Sequence, residues 1–166
     1  MSFWTQVNAT FEFDNYYMDE HKEDNKTKMF DDIFGKAVTY TDFTNAIDDG
    51  SYDTLWADME NNPDKYLPCG SEGTLKKFVY TRKLSNGSKE YLVKVCGGLR
   101  DFWDDEPIKK WFKRVCSSKA IETAYIRIEL EGISPIFVVY EEGFDEEIQD
   151  SDFFEYIMLD PKGERT

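Results

Sequence analysis

The sequence predicts an α+β fold in which one mainly antiparallel sheet is packed on one face by a single principal amphipathic helix, an order related to ferredoxin-like arrangements. Three observations predict it: a two-residue alternation near the N-terminus, two hairpin signals, and one segment whose apolar residues recur with helical spacing.

Residues 3 to 13, FWTQVNATFEF, place Phe3, Thr5, Val7, Ala9, Phe11 and Phe13 on one face of a strand and Trp4, Gln6, Asn8, Thr10 and Glu12 on the other. From Asp14 to Asn25 the chain turns polar and reads as a loop or surface insertion. The patch MFDDIFG suits a brief helix stopped at Gly35. TDFTNAI and YDTLWADMENN suit one or two helical turns each before Pro63 interrupts. Residues 74 to 84 and 89 to 96 flank SNGS, and Asn86-Gly87 suits a type I′ turn with positive φ at both positions. Ile108, Trp111, Phe112, Val115 and Cys116 then trace an amphipathic helix, with Asp104 or Asp105 at its start and Lys109, Lys110, Lys113 and Arg114 outward. AYIRIELEG and PIFVVYEE come next as a second hairpin, and the apolar residues of GFDEEIQDSDFFEYIMLD predict a final docked helix or strand.

A chain of 166 residues fits a single domain, 1–166, with 14–66 read as an irregular acidic insertion carrying short helices and 143–166 as an acidic-aromatic C-terminal segment. Aromatic residues make up 16% of the chain, enough to build a core, which argues against general disorder. No run of about 18 apolar residues occurs, and the start of the chain lacks the basic and continuous apolar pattern of a signal peptide, so a cytoplasmic location is expected. Cys69, Cys96 and Cys116 match neither a disulfide framework nor a zinc spacing. His21 is the single histidine, which removes triads and polyhistidine metal sites built within one chain.

Charge is banded along the chain. Residues 1 to 60 carry 14 acids against 4 bases, residues 61 to 127 carry 8 acids against 14 bases, and residues 128 to 161 carry 11 acids and no base. The net charge of -14 repels nucleic-acid backbones and speeds encounters with basic surfaces. Paired acids such as Asp31-Asp32, Asp48-Asp49, Asp104-Asp105 and Glu146-Glu147 lack the spacing that metal-dependent hydrolases need and read as solvated surface.

Two loops offer anion sites. Gly70, Ser71, Glu72 and Gly73 have backbone N–H groups to offer, although the next residues form a β-like run and not the lysine and helix of a phosphate loop. In CGGLRD, Arg100 beside Asp101 either receives an anion or forms an internal ion pair. The C-terminal acids Asp145, Glu146, Glu147, Asp150, Asp152 and Glu155 form the opposite kind of surface. Duplex DNA presents a phosphate about every 1.7 Å of axis, and a run of carboxylates approximates that array toward a DNA-binding protein.

LPCGSEGTLKKFVY and VCGGLRD, followed by a helix bearing IKKWF, resemble features of small uncharacterised proteins encoded by phages and prophages of Gram-positive bacteria. The likeness spans roughly residues 1 to 140 and carries no catalytic residue. It implies inhibition of host defence, anti-CRISPR proteins included.

The expected function is therefore a non-enzymatic inhibitor of a basic nucleic-acid-handling protein, with no catalytic residue, metal, cofactor, membrane span or direct nucleic-acid contact. Acids of residues 12 to 60 and 141 to 160 would meet the partner. One rival is a module that binds a nucleotide or other anion through Ser71, Arg100 and Lys109; another is an immunity protein against a basic toxin nuclease.

Overall fold

The computed structural model describes residues 2–141 and 152–159. Strand β1 (Trp4–Phe13) is followed by four helices, α1 (Asn15–Glu20), α2 (Lys26–Phe34), α3 (Tyr40–Asp49) and α4 (Tyr52–Asn61), and a tight helical turn at Pro63–Lys65. The hairpin β2 (Lys76–Lys83) and β3 (Lys89–Arg100), helix α5 (Glu106–Cys116), and strands β4 (Ile121–Leu130), β5 (Ile136–Glu141) and β6 (Phe153–Ile157) complete the order. Paired antiparallel throughout, the strands lie in the order β2-β3-β1-β4-β5-β6. This is an α+β fold. Its first four strands and their helical connections have the split β-α-β-β-α-β order, and β5 and β6 extend the sheet beyond β4.

Period-two alternation decides which face is buried. Val7, Ala9, Phe11 and Phe13 of β1 are buried, together with Val93 and Val95 of β3 and Ile126 and Ile128 of β4. Against this face lie Phe30 and Phe34 of α2 and Ile108, Trp111, Phe112 and Val115 of α5. Phe11 stands at the centre, with ring centroids 4.9 Å from Phe34, 5.5 Å from Phe112 and 5.8 Å from Trp111. Burying a phenylalanine of this kind contributes about 2–3 kcal/mol. The other face is open: Gln6, Asn8 and Glu12 are exposed there beside Lys94, Tyr125 and Arg127.

Three details differ from the sequence expectation. The short helices expected in residues 14–66 are present, but α3 and α4 run for 10 residues each, longer than one or two turns, and α2 supplies Phe30 and Phe34 to the core. Local caps set these helices: Asp14 accepts from Tyr17 N at 2.8 Å, Asn25 from Lys28 N at 3.2 Å, and Thr39 with Asp42 forms a reciprocal capping box. The β2–β3 turn is not type I′, since only Gly87 has positive φ. Gly87 N donates to Leu84 O and Leu84 N to Ser88 O, while Asn86 Oδ1 accepts from Ser88 N, which gives a type I turn closed by a glycine bulge. Finally, Lys109 does not point into solvent. Its side chain is 11% exposed and bonds to Asp105 and Glu155.

Candidate functional site

The two glycine-containing loops meet at one corner and bond to each other, while Arg100 Nε is buried there with no hydrogen-bond partner among the described residues. Ser71 N donates to Arg100 O at 3.0 Å and Arg100 N to Glu72 O at 2.9 Å, so the Gly70–Gly73 loop extends the end of β3 by backbone pairing. Ser71 Oγ donates to Asp101 Oδ2 at 2.7 Å, and the Arg100 guanidinium pairs with Glu72 Oε1 at 2.5 Å. Glycine is required because a Cβ on Gly70 would lie 2.4 Å from Arg100 O and one on Gly73 2.2 Å from Gly98 O. Asp101 adopts a left-handed φ of 55° and anchors the bend by donating its N–H to Phe3 O at 2.7 Å. Of the two roles open to Arg100 in the sequence, the internal ion pair is thus the one formed.

Lys109 is held elsewhere, by Asp105 Oδ2 at 2.8 Å and Glu155 Oε1 at 3.0 Å, with Glu106 at 3.6 Å. Burial pulls its pKa down, but the hydrogen bonds and charges of Asp105 and Glu155 together outweigh that pull and leave it raised. A residue named for anion binding and one named for partner binding therefore pair with each other, tying α5 to β6. Asp145, Glu146, Glu147 and Asp150 lie outside the described residues. Asp152, half-buried just before β6, also interacts with a neighbour.

The longest stretch without a lysine or arginine that lies wholly within the described residues spans the α3–α4 hairpin. Residues 37 to 64 hold seven acids, Asp42, Asp48, Asp49, Asp53, Asp58, Glu60 and Asp64, and no base. Ala46 is the buried residue of α3, and α4 has none. An aromatic cluster of Phe43, Tyr52 and Trp56 holds the two helices together, with centroids of Phe43 and Trp56 5.4 Å apart. Asp48, Asp49, Asp53 and Glu60 are exposed, and Tyr40 and Ile47 stand beside them at 86% and 64% exposure. Hydrogen bonds from the Ser51 hydroxyl and N–H lower the Asp49 pKa, which holds that carboxylate ionised.

Between α4 and α5 runs a groove of about 650 Å³. Trp56, Met59, Tyr66, Leu67 and Phe102 are among its apolar lining, and Lys110 and Arg114 of α5 face the opposite charges of Glu60 and Asp64 across it. Arg114 Nη1 donates to Asp64 Oδ1 at 2.7 Å, linking α5 to the turn after α4. Nη2 of the same guanidinium is shielded from solvent and has no hydrogen-bond partner among the described residues. Cys69 lines the groove as well, and burial pushes its thiol up to about 11, so it is protonated and no nucleophile at neutral pH. Sequence reasoning misses this groove because its lining comes from separate segments. The acidic run without a base is readable in the sequence, but it straddles two of the longer charge bands and is hidden by their averages.

Among the described residues, no group of three or more histidine, cysteine or carboxylate side chains is placed to hold a metal ion, and no helix is long and apolar enough to cross a membrane. No family model, curated protein or solved structure matches the chain.

Proposed function

We propose that the protein is a non-enzymatic inhibitor that binds a basic, nucleic-acid-handling protein, in the manner of a phage anti-defence protein, and that the α3–α4 hairpin makes the first contact. The observation that carries this reading is a pair of helices with six acids, Asp42, Asp48, Asp49, Asp53, Asp58 and Glu60, no base and almost no buried side chain. Carboxylates in that number attract a basic groove that otherwise holds phosphates, and exposed Tyr40 and Ile47 supply apolar area for the final docked state. An array of this kind acts chiefly on the association rate, which salt suppresses.

The test is surface plasmon resonance against purified CRISPR effectors and other basic nucleases of Gram-positive hosts, over a range of salt concentrations, paired with a nucleic-acid competition assay. Binding that weakens steeply with salt and displaces the nucleic acid is expected. Salt-independent binding, or no binding across the panel, would overturn the proposal.

A further inference from the structure

Strand β2 is one edge of the sheet, and among the described residues no strand pairs with its outer side. The register fixes which of its backbone groups are open. Leu84 N donates to Ser88 O at 2.8 Å, so Arg82, Tyr80 and Phe78, at two-residue steps from that pair, turn their N–H and C=O toward β3. Lys77, Val79, Thr81 and Lys83 turn theirs outward, a ladder ready for another strand. Phe78, Val79 and Tyr80 are all exposed on it, a run of apolar side chains that an isolated edge ordinarily avoids. The charge here is of one sign. Asp31 is taken up by Lys77 and Glu90 by Arg82. Lys76, Lys83, Lys89 and Lys94 are exposed and make no ion pair among the described residues, a local reversal in a chain of net charge -14.

We infer that the outer edge of β2 takes up an extended acidic segment of another protein, which joins the sheet as a further strand. Its backbone pairs with Val79 and Thr81, carboxylates toward its two ends meet Lys76 and Lys83, and apolar residues between them pack beside Phe78, Val79 and Tyr80. Lysines on an edge also repel edges of their own kind, so a second copy of β2 is disfavoured by the charges that attract an acidic strand. The inference is independent of the partner of the acidic hairpin, since it concerns a different surface and the opposite charge.

The probe is a blocked peptide of three valines between two pairs of glutamates, and its control carries lysine in place of each glutamate. Exchange of backbone amides with water is read residue by residue by NMR. At about ten times its Kd the acidic peptide is expected to slow exchange at Val79 and Thr81 about tenfold and to leave Phe78 and Tyr80, already bonded to β3, little changed. The lysine peptide should protect none of them. Val79→Pro removes an outward N–H at a position where an edge strand accepts proline, so the fold should persist while protection of Thr81 is lost. Should that variant fail to fold, Lys76→Glu with Lys83→Glu, both exposed, should weaken peptide affinity about tenfold or more. No protection, equal protection by both peptides, or unchanged binding in the folded variants would each overturn the inference. Protection of Val79 and Thr81 that grows with protein concentration in the absence of peptide would assign the edge to a second copy and overturn it too.

Discussion

Trp111 Nε1 donates a 2.8 Å hydrogen bond to the backbone carbonyl of Phe34, joining α5 to the last residue of α2 across 77 positions of sequence inside the core. The bond satisfies a buried donor and a carbonyl at the end of α2 together, at the point where both helices press on Phe11. Trp111→Phe keeps an aromatic ring but strands the Phe34 carbonyl. A loss of about 1–3 kcal/mol is expected, read as a lower urea midpoint with unchanged slope.

The corner where the Gly70–Gly73 loop meets β3 predicts a sharp contrast between two glycines of nearly equal φ. Gly87 at 86° has nothing within 4 Å of the position a Cβ would take, whereas at Gly73, with φ of 82°, that position lies 2.2 Å from Gly98 O. Gly87→Ala should cost about 1–2 kcal/mol, the penalty for a left-handed L-residue. Gly73→Ala adds overpacking against backbone and should cost about 3 kcal/mol or more, measured by the same denaturation.

Lys109 makes a pH prediction with a definite sign. Its folded pKa is raised above the unfolded value, so the stabilisation it provides is fully present below the ordinary lysine pKa and is lost as pH rises through the folded value. The stability difference between the native chain and Lys109→Met should be level from about pH 7 to about pH 10 and shrink above that. A difference that grows in alkali would contradict the assignment.

The capping box at Thr39 and Asp42 works in the opposite direction. The Thr39 N–H, then its hydroxyl, hold the Asp42 carboxyl below its usual range. Its contribution is therefore present above the ordinary aspartate pKa and lost as pH falls through the lower folded value. Thr39→Ala should cost about 1 kcal/mol at neutral pH and less in acid, seen in far-ultraviolet circular dichroism of unfolding.

Neutralising the hairpin separates steering from folding. Asp48→Asn with Asp53→Asn removes two exposed charges that make no ion pair among the described residues, so the melting temperature should hardly move. The association rate with a basic partner should fall about fivefold or more at low salt, with little change in the dissociation rate. A change confined to dissociation would place the contact in the docked interface instead.

Much of this fold is legible because its signals are short-range. Alternation from Thr5 to Phe13 names the buried face of β1 without knowledge of any partner strand, and the spacing of Ile108, Trp111, Phe112 and Val115 names the inner face of α5. Helix α1 is harder to see, since six polar-flanked residues with Met18 as their one buried side chain carry little periodicity. The dipeptide Asn86-Gly87 locates the β2–β3 turn but does not fix its type, because it suits a type I turn with a glycine bulge as well as type I′.

Residue period and composition along continuous stretches settle the α+β class, the strand faces, the principal helix and the acidic banding. Which charges are paired, and where cavities open, is settled in three dimensions. Arg100 and Lys109 look alike in the sequence as cations, yet one is closed against Glu72 of a separate loop, and the other against Asp105 one helical turn away and against Glu155 of the distant β6. The groove beside Arg114 depends on Trp56, Phe102 and Trp111 arriving from three segments. Ion pairing and enclosure act through space over a few ångströms, and no local pattern encodes which distant residues the fold will bring that close.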